Sequence, residues 1–160
     1  MVTVAKLSSK DSIPDISVNN IKVKQSELGR ITMELTAPKM VSFQSRDAFT
    51  EFPKGLEIIF FDSVMQPKTK LTANYGISWD NRRTMEARGN VVVYNFLKRE
   101  QLNTESLIYD RNIRKISSTE FVKITSPEKI MLGKGMESDE MFTNWAIRNV
   151  TGTIYVNENK

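Results

Sequence analysis

The chain of 160 residues contains no histidine and no cysteine. Without imidazole it lacks the commonest general base and the commonest metal ligand. Without thiols it lacks cysteine nucleophiles, disulfides and thiolate metal sites. Most catalytic and zinc chemistries are thereby excluded, and no metal or cofactor is expected. The missing cysteine does not select a compartment, because proteins of oxidising and reducing spaces alike do without it. No stretch approaches the ~20 apolar residues needed to cross a bilayer. Residues 1–10 also lack the apolar run of a signal peptide. Helical periodicity is missing as well: apolar residues recur at spacing two, and turn residues interrupt them roughly every 8 to 12 positions. Only Ser45 to Phe52 reads as a short helix.

An apolar content of 39% and a mean hydropathy of −0.37 suit a thin β-layer fold with a shallow core. The length suits one domain that buries about 68–70% of its unfolded surface. A net charge of +4 and a pI near 9.3 permit attraction to the phosphates of nucleic acid, anionic lipid or a phosphorylated glycolipid, without choosing among them. The basic clusters Asn81-Arg82-Arg83 and Lys98-Arg99 sit at predicted turns beside acidic residues, where solvated turns explain them better than phosphate clamps.

What is present is a pattern recurring at intervals of roughly 30 residues. Leu71-Thr72-Ala73 leads through Ile77 and Trp79-Asp80 to Gly89-Asn90-Val91-Val92-Val93. Leu102-Asn103-Thr104 leads through Leu107 and Tyr109-Asp110 to Phe121-Val122-Lys123-Ile124. A looser third copy runs from Leu132 through Met136 and Asp139 to Trp145-Ala146-Ile147. Each copy spells strand, tight polar turn, strand. Upstream, Ile21 and Val23, then Ile31, Met33 and Leu35, alternate with polar residues as a half-buried hairpin does. Phe52-Pro53-Lys54-Gly55 reads as a turn. Leu56 to Phe61 is apolar on both faces, as a strand covered on both sides or facing a ligand is. Residues 1–20, rich in Ser, Asp and Asn, read as a tether, and residues 21–160 as a single all-β domain, a sandwich or jelly roll.

Several residues invite a sharper reading. Gly133-Lys134-Gly135 lacks the spacing and the following helix of a phosphate loop, so it reads as a strand bend. Asp80, Asp110, Asp139 and Glu140 resemble paired catalytic carboxylates only superficially. The first two occupy equivalent turn positions in successive copies, which is where hairpins require Asp. By alternation Ile77 and Trp79 share a face, as do Leu107 and Tyr109, Val91 and Val93, Val122 and Ile124, and Trp145 and Ile147. These side chains are expected to line the interior, as core if it is closed and as a ligand site if it is a groove. Because the aromatics fall on the apolar side of the alternation, away from the basic residues, nucleic acid is not an expected partner.

The ordered set of segments resembles the LptC family of lipopolysaccharide export proteins, with their OstA-like β-jelly roll. The set comprises Gly29-Arg30-Ile31-Thr32 through Leu35-Thr36-Ala37-Pro38, Phe52-Pro53-Lys54-Gly55-Leu56, and Leu71-Thr72-Ala73-Asn74-Tyr75. It continues with Ala87-Arg88-Gly89-Asn90-Val91, residues 102–110 and Gly133-Lys134-Gly135-Met136-Glu137-Ser138. The similarity runs from about Ile21 to Val156.

The resemblance implies stacked antiparallel hairpins in two facing sheets with an apolar cleft between them, and a non-enzymatic carrier of lipopolysaccharide. It implies a periplasmic location, tethered to the inner membrane by an N-terminal helix that this chain lacks. Implied partners are the LptBFG ABC transporter, which supplies ATP hydrolysis, and an LptA-like bridge protein. On this reading acyl chains contact Ile58, Phe60 and Met136 together with the ten paired inward residues above. Edge strands at Ile21 and Val23 and at Thr153, Ile154, Tyr155 and Val156 would join neighbouring jelly rolls by β-augmentation. A β-scaffold of the same fold that binds protein and no lipid is the alternative. Small interior residues such as Val91 and Val93 favour the carrier.

Overall fold

The computed structural model describes residues 13–156, which form eleven β-strands and no helix. They are β1 (Ile16–Glu27), β2 (Arg30–Phe43), β3 (Phe49–Phe52), β4 (Leu56–Phe61), β5 (Pro67–Ala73) and β6 (Tyr75–Trp79). There follow β7 (Thr84–Asn95), β8 (Glu100–Asp110), β9 (Lys115–Thr125), β10 (Lys129–Asp139) and β11 (Trp145–Tyr155). All pairings are antiparallel, and one hydrogen-bonded path runs β11-β10-β9-β8-β7-β5-β4-β2-β3-β6, with β1 on β2 and a further β7–β6 pairing.

This single sheet still makes two facing layers, because the long strands change partner halfway. Residues 92–95 of β7 pair with β5 and residues 84–88 with β6. Residues 33–36 of β2 pair with β4 and residues 41–43 with β3. The pairs β3/β4 and β5/β6 are therefore long strands broken at residues 53–55 and at Asn74. The circuit β2–β4–β5–β7–β6–β3 closes on itself. Beyond it, ladder irregularities fall in line, between Arg88 and Val91, Thr104 and Ile108, and Lys134 and Met136. A bulge bends its strand and sharpens the twist, so a row of bulges folds the whole sheet. Gly89 supplies the bend in β7 with φ +81°, which a residue with a side chain rarely adopts.

Each long strand thus becomes a V, and side bonds that skip strands show its arms facing. Trp145 Nε1, on β11, donates to Glu100 Oε1, on β8, at 2.8 Å, although β9 and β10 lie between them in the ladder. The core fills the space between the arms: Val91, Leu102, Val122, Met136 and Phe142 are wholly buried, and Ile58, Leu71, Val93, Leu107 and Ile124 nearly so. Each such side chain contributes about 1.5–3 kcal/mol by leaving water. The alternation Leu56, Ile58 and Phe60 in, Ile59 and Phe61 half-covered, is the pattern read from the sequence.

Three local expectations change. Phe49–Phe52, the end of the segment read as a helix, is strand β3. It pairs with β2 on one side and β6 on the other, and eight residues are too few for a helix to compete with two ladders. Strand β1 begins at Ile16, within the stretch read as a tether; residues 1–12 lie outside the described residues. Ile77 and Trp79 do not face the interior. A Cβ on Gly76 would meet the core side chains of Leu56 and Phe52, so Gly76 points inward and its neighbour Ile77 outward. The break at Asn74 reverses the parity that Leu71 and Ala73 establish. Trp79 instead packs 4.9 Å from the Phe49 ring, with the Arg82 guanidinium 4.3 Å above it, on the outer face.

Candidate functional site

The space between the arms differs along its length. Toward β11 it is closed by the β10–β11 turn, whose Phe142 side chain is fully buried in the core and lies 6.3 Å from the Trp145 ring. The turn is bonded to the opposite arm through its backbone. Thr69 Oγ1 donates to the Met141 carbonyl at 2.7 Å, Asn95 Nδ2 to the Phe142 carbonyl at 3.0 Å, and Lys98 Nζ to the Thr143 carbonyl at 2.5 Å. The Tyr109 hydroxyl donates to Glu140 Oε1 at 2.6 Å. Burial and this bond push the Tyr109 hydroxyl well above its ordinary range, against the opposing pull of the nearby Arg111 and Arg114 charges.

Asp139 shapes the turn. Its carboxylate accepts the N–H groups of Asn144 at 2.6 Å, Thr143 at 2.8 Å and Met141 at 3.3 Å. Burial raises the Asp139 pKa, but these three bonds outweigh it and hold the carboxyl below its usual value. Asp80 and Asp110 also serve turns: the Asp80 carbonyl accepts from Arg83 N–H, and Asp110 Oδ1 from Asn112 N–H at 2.9 Å.

Toward β1 the arms part. A groove of about 600 Å³ opens between β2 and β4 on one arm and β3, β6 and β7 on the other. Met33, Leu35, Phe52, Phe60 and Met85 form its apolar floor. Gln25 and Glu27 stand on one rim, and Arg83, Arg111 and Arg114 on the other. Ile58, Phe60, Met85 and Tyr109 border both this groove and a small apolar cavity beneath it, of about 20 Å³. That cavity is room for roughly one water molecule.

The expected inward residues divide accordingly. Val91, Val93, Leu107, Val122, Ile124 and Met136 are packed core, and the continuous apolar cleft expected around them is filled by Phe142 and its neighbours. Trp145 and Ile147 pack partly buried against that core. Ile58, Phe60 and Tyr109 reach the groove, whereas Trp79 packs on Phe49 on the outer face and Ile77, on that same face, is buried outside the main core cluster. Among the described residues β1 pairs with β2 alone and β11 with β10 alone, so Ile21, Val23, Thr153, Ile154 and Tyr155 lie on outermost strands, with Val156 just after β11. Ile154, Tyr155, Val156 and Val23 are exposed, while Ile21 is half-buried. Sequence reasoning missed Met33, Met85 and the arginine rim as parts of one site, because they come from four separate strands and turns. Phe142 was also missed, although Met141-Phe142 is an unusual apolar pair for a tight turn.

A hairpin sheet folded into stacked Vs around an apolar interior is a β-jelly roll. The profile of the family described as lipopolysaccharide-assembly, LptC-related, matches residues 3–153, and the chain belongs to the LptC family. No curated protein matches the chain. Membership places the protein in lipopolysaccharide transport, in a family of periplasmic, inner-membrane-tethered transport and bridge components. Among the described residues no helix is long and apolar enough to cross a membrane.

Proposed function

We propose that this protein receives lipopolysaccharide from the LptBFG transporter of the inner membrane and passes it to an LptA-like bridge protein, with acyl chains held between the arms of the V. The observation that carries the proposal is the groove: an apolar floor open to solvent on one side, whose Ile58, Phe60, Met85 and Tyr109 also line the small cavity beneath it. An acyl chain on that floor gains about 0.8 kcal/mol per buried CH₂ while its sugars and phosphates stay in water. The packed interior toward β11 means that a longer guest must displace Phe142. The exposed edges of β1 and β11 suit end-to-end joining by strand addition at the two ends of the stack.

A protein scaffold that binds no lipid is the second reading, favoured by the dense packing around Val93 and Met136. Photo-crosslinking in cells exporting lipopolysaccharide separates the two. A benzoyl-phenylalanine at Met85, on the groove floor, is expected to yield lipid adducts, and one at Val92, facing away from the core, none. Absence of adducts at Met85 in a folded, membrane-associated protein would give the scaffold reading the stronger claim.

A further inference from the structure

The basic rim of the groove has no part in holding an acyl chain, and among the described residues its arginine side chains make no ion pair. Arg83 closes the β6–β7 turn, and Arg111 and Arg114 frame the β8–β9 turn. These two turns are stitched together: Arg111 N–H donates to the Arg83 carbonyl at 3.0 Å, and Asn112 Nδ2 to the Arg82 carbonyl at 3.1 Å. Arg83 and Arg114 hold left-handed backbone, at φ 53° and 55°. Non-glycine residues seldom adopt that conformation. Three guanidiniums are therefore presented along one side of one groove by a pair of cross-bonded turns.

Three further arginines are held in ion pairs. Arg82 pairs with Asp47 at 3.1 Å, Arg88 with Glu86 at 3.0 Å and Arg148 with Glu137 at 2.8 Å. Among the described residues no carboxylate pairs with Arg83, Arg111 or Arg114. Two carboxylates share the groove with them: Glu140 accepts the Tyr109 hydroxyl, and Glu27 stands on the opposite rim. The basic side thus has an unmatched positive charge directly above an apolar floor. Guanidinium is always charged, weakly hydrated and shaped to grip two phosphate oxygens at once.

We propose that Arg83, Arg111 and Arg114 form an anion subsite for the phosphorylated sugar head of a glycolipid whose acyl chain lies on the Met33, Phe60 and Met85 floor. The subsite rests on the carrier reading and adds a chemical selectivity to it: phosphorylated over unphosphorylated glycolipid. It also fixes an orientation, with the head held at the β6–β7 and β8–β9 turns and the chain directed toward the β10–β11 turn.

The test measures binding of the purified chain to bisphosphorylated lipid A and to dephosphorylated lipid A, in the same detergent, for the native protein and for the triple variant R83Q/R111Q/R114Q. Arg148→Gln, remote from the groove lining, controls for lost charge. The expected result is that the triple variant binds the phosphorylated lipid at least about tenfold more weakly, as loss of a charged hydrogen bond predicts. Its affinity for the dephosphorylated lipid should be unchanged. Competition by inorganic phosphate at the concentration of the lipid would show a site for the free ion and overturn a glycolipid site. Equal binding of both lipids by the native protein, or no effect of the triple variant, overturns the subsite and leaves the carrier standing. Failure of the folded protein to bind either lipid overturns both. If the triple variant does not fold, Arg111→Gln, at a position without left-handed backbone, reads the same contrast.

Discussion

The two ends of the folded sheet are built from the same alternating hairpins, yet one end is stoppered and the other gapes. Toward β11, a turn carrying Phe142 reaches across and bonds to β5, β7 and the β7–β8 turn. Toward β1, the arms spread over a floor of methionine, leucine and phenylalanine, which the same turn borders only through Glu140 and Met141. The difference does not come from strand composition. It comes from a single turn whose apolar residue points inward and whose carbonyls find donors on the opposite arm. In this jelly roll it is a turn that closes one end of the interior.

The comparison breaks most directly at Phe142. Replacing it with alanine removes a fully buried ring and should lower the unfolding free energy by about 3–5 kcal/mol in denaturant titration, with the mutant groove extending toward Val93. A loss below about 1 kcal/mol would mean that the turn does not seal the interior. A smaller effect is expected from Asn95→Ala. This leaves the Phe142 carbonyl without its buried donor and should lower stability by about 1–3 kcal/mol, with faster amide exchange across residues 139–144 than in the rest of β10. Uniform exchange throughout β10 would instead tie the turn to its strand and erase the distinction between the two ends.

The gentlest probe is pH. The folded-state pKa of Asp139 lies below its unfolded value, so its contribution is fully present above the unfolded pKa, near 4 for an aspartate, and is lost as pH falls through the folded value. Acidification below about pH 4 should therefore loosen the β10–β11 turn, seen as growing accessibility around Phe142, and Asp139→Asn should flatten that acid dependence. An acid response that survives the substitution would assign it to other carboxylates.

Much of this architecture was legible in the residues. Period-two alternation in β4 and in the β7 and β9 segments around Val93 and Ile124 placed core positions correctly, because one buried face forces that pattern. The turn at Asp110 was legible because an aspartate carboxylate bonds the backbone two residues on, as it does there with Asn112 N–H. Ile77 and Trp79 were misassigned because Asn74 breaks β5 from β6 without any glycine or proline to announce it, and everything after the break changes face. Residues 49–52 were misread because their two flanking ladders come from residues distant in sequence. The arginine rim escaped notice for a related reason. An arginine in a turn reads as solvated until the topology sets a second turn beside it.

The closed circuit β2–β4–β5–β7–β6–β3 has one more consequence. A ring has no free end from which to unzip, so its ladders must open together, while β8 to β11 form an ordinary ladder that frays from its outermost strand. The hairpin at that outer end, β10–β11, is the one that carries the stopper. Loosening this terminal edge therefore also opens the interior, because Met136 and Phe142 of that hairpin belong to the core.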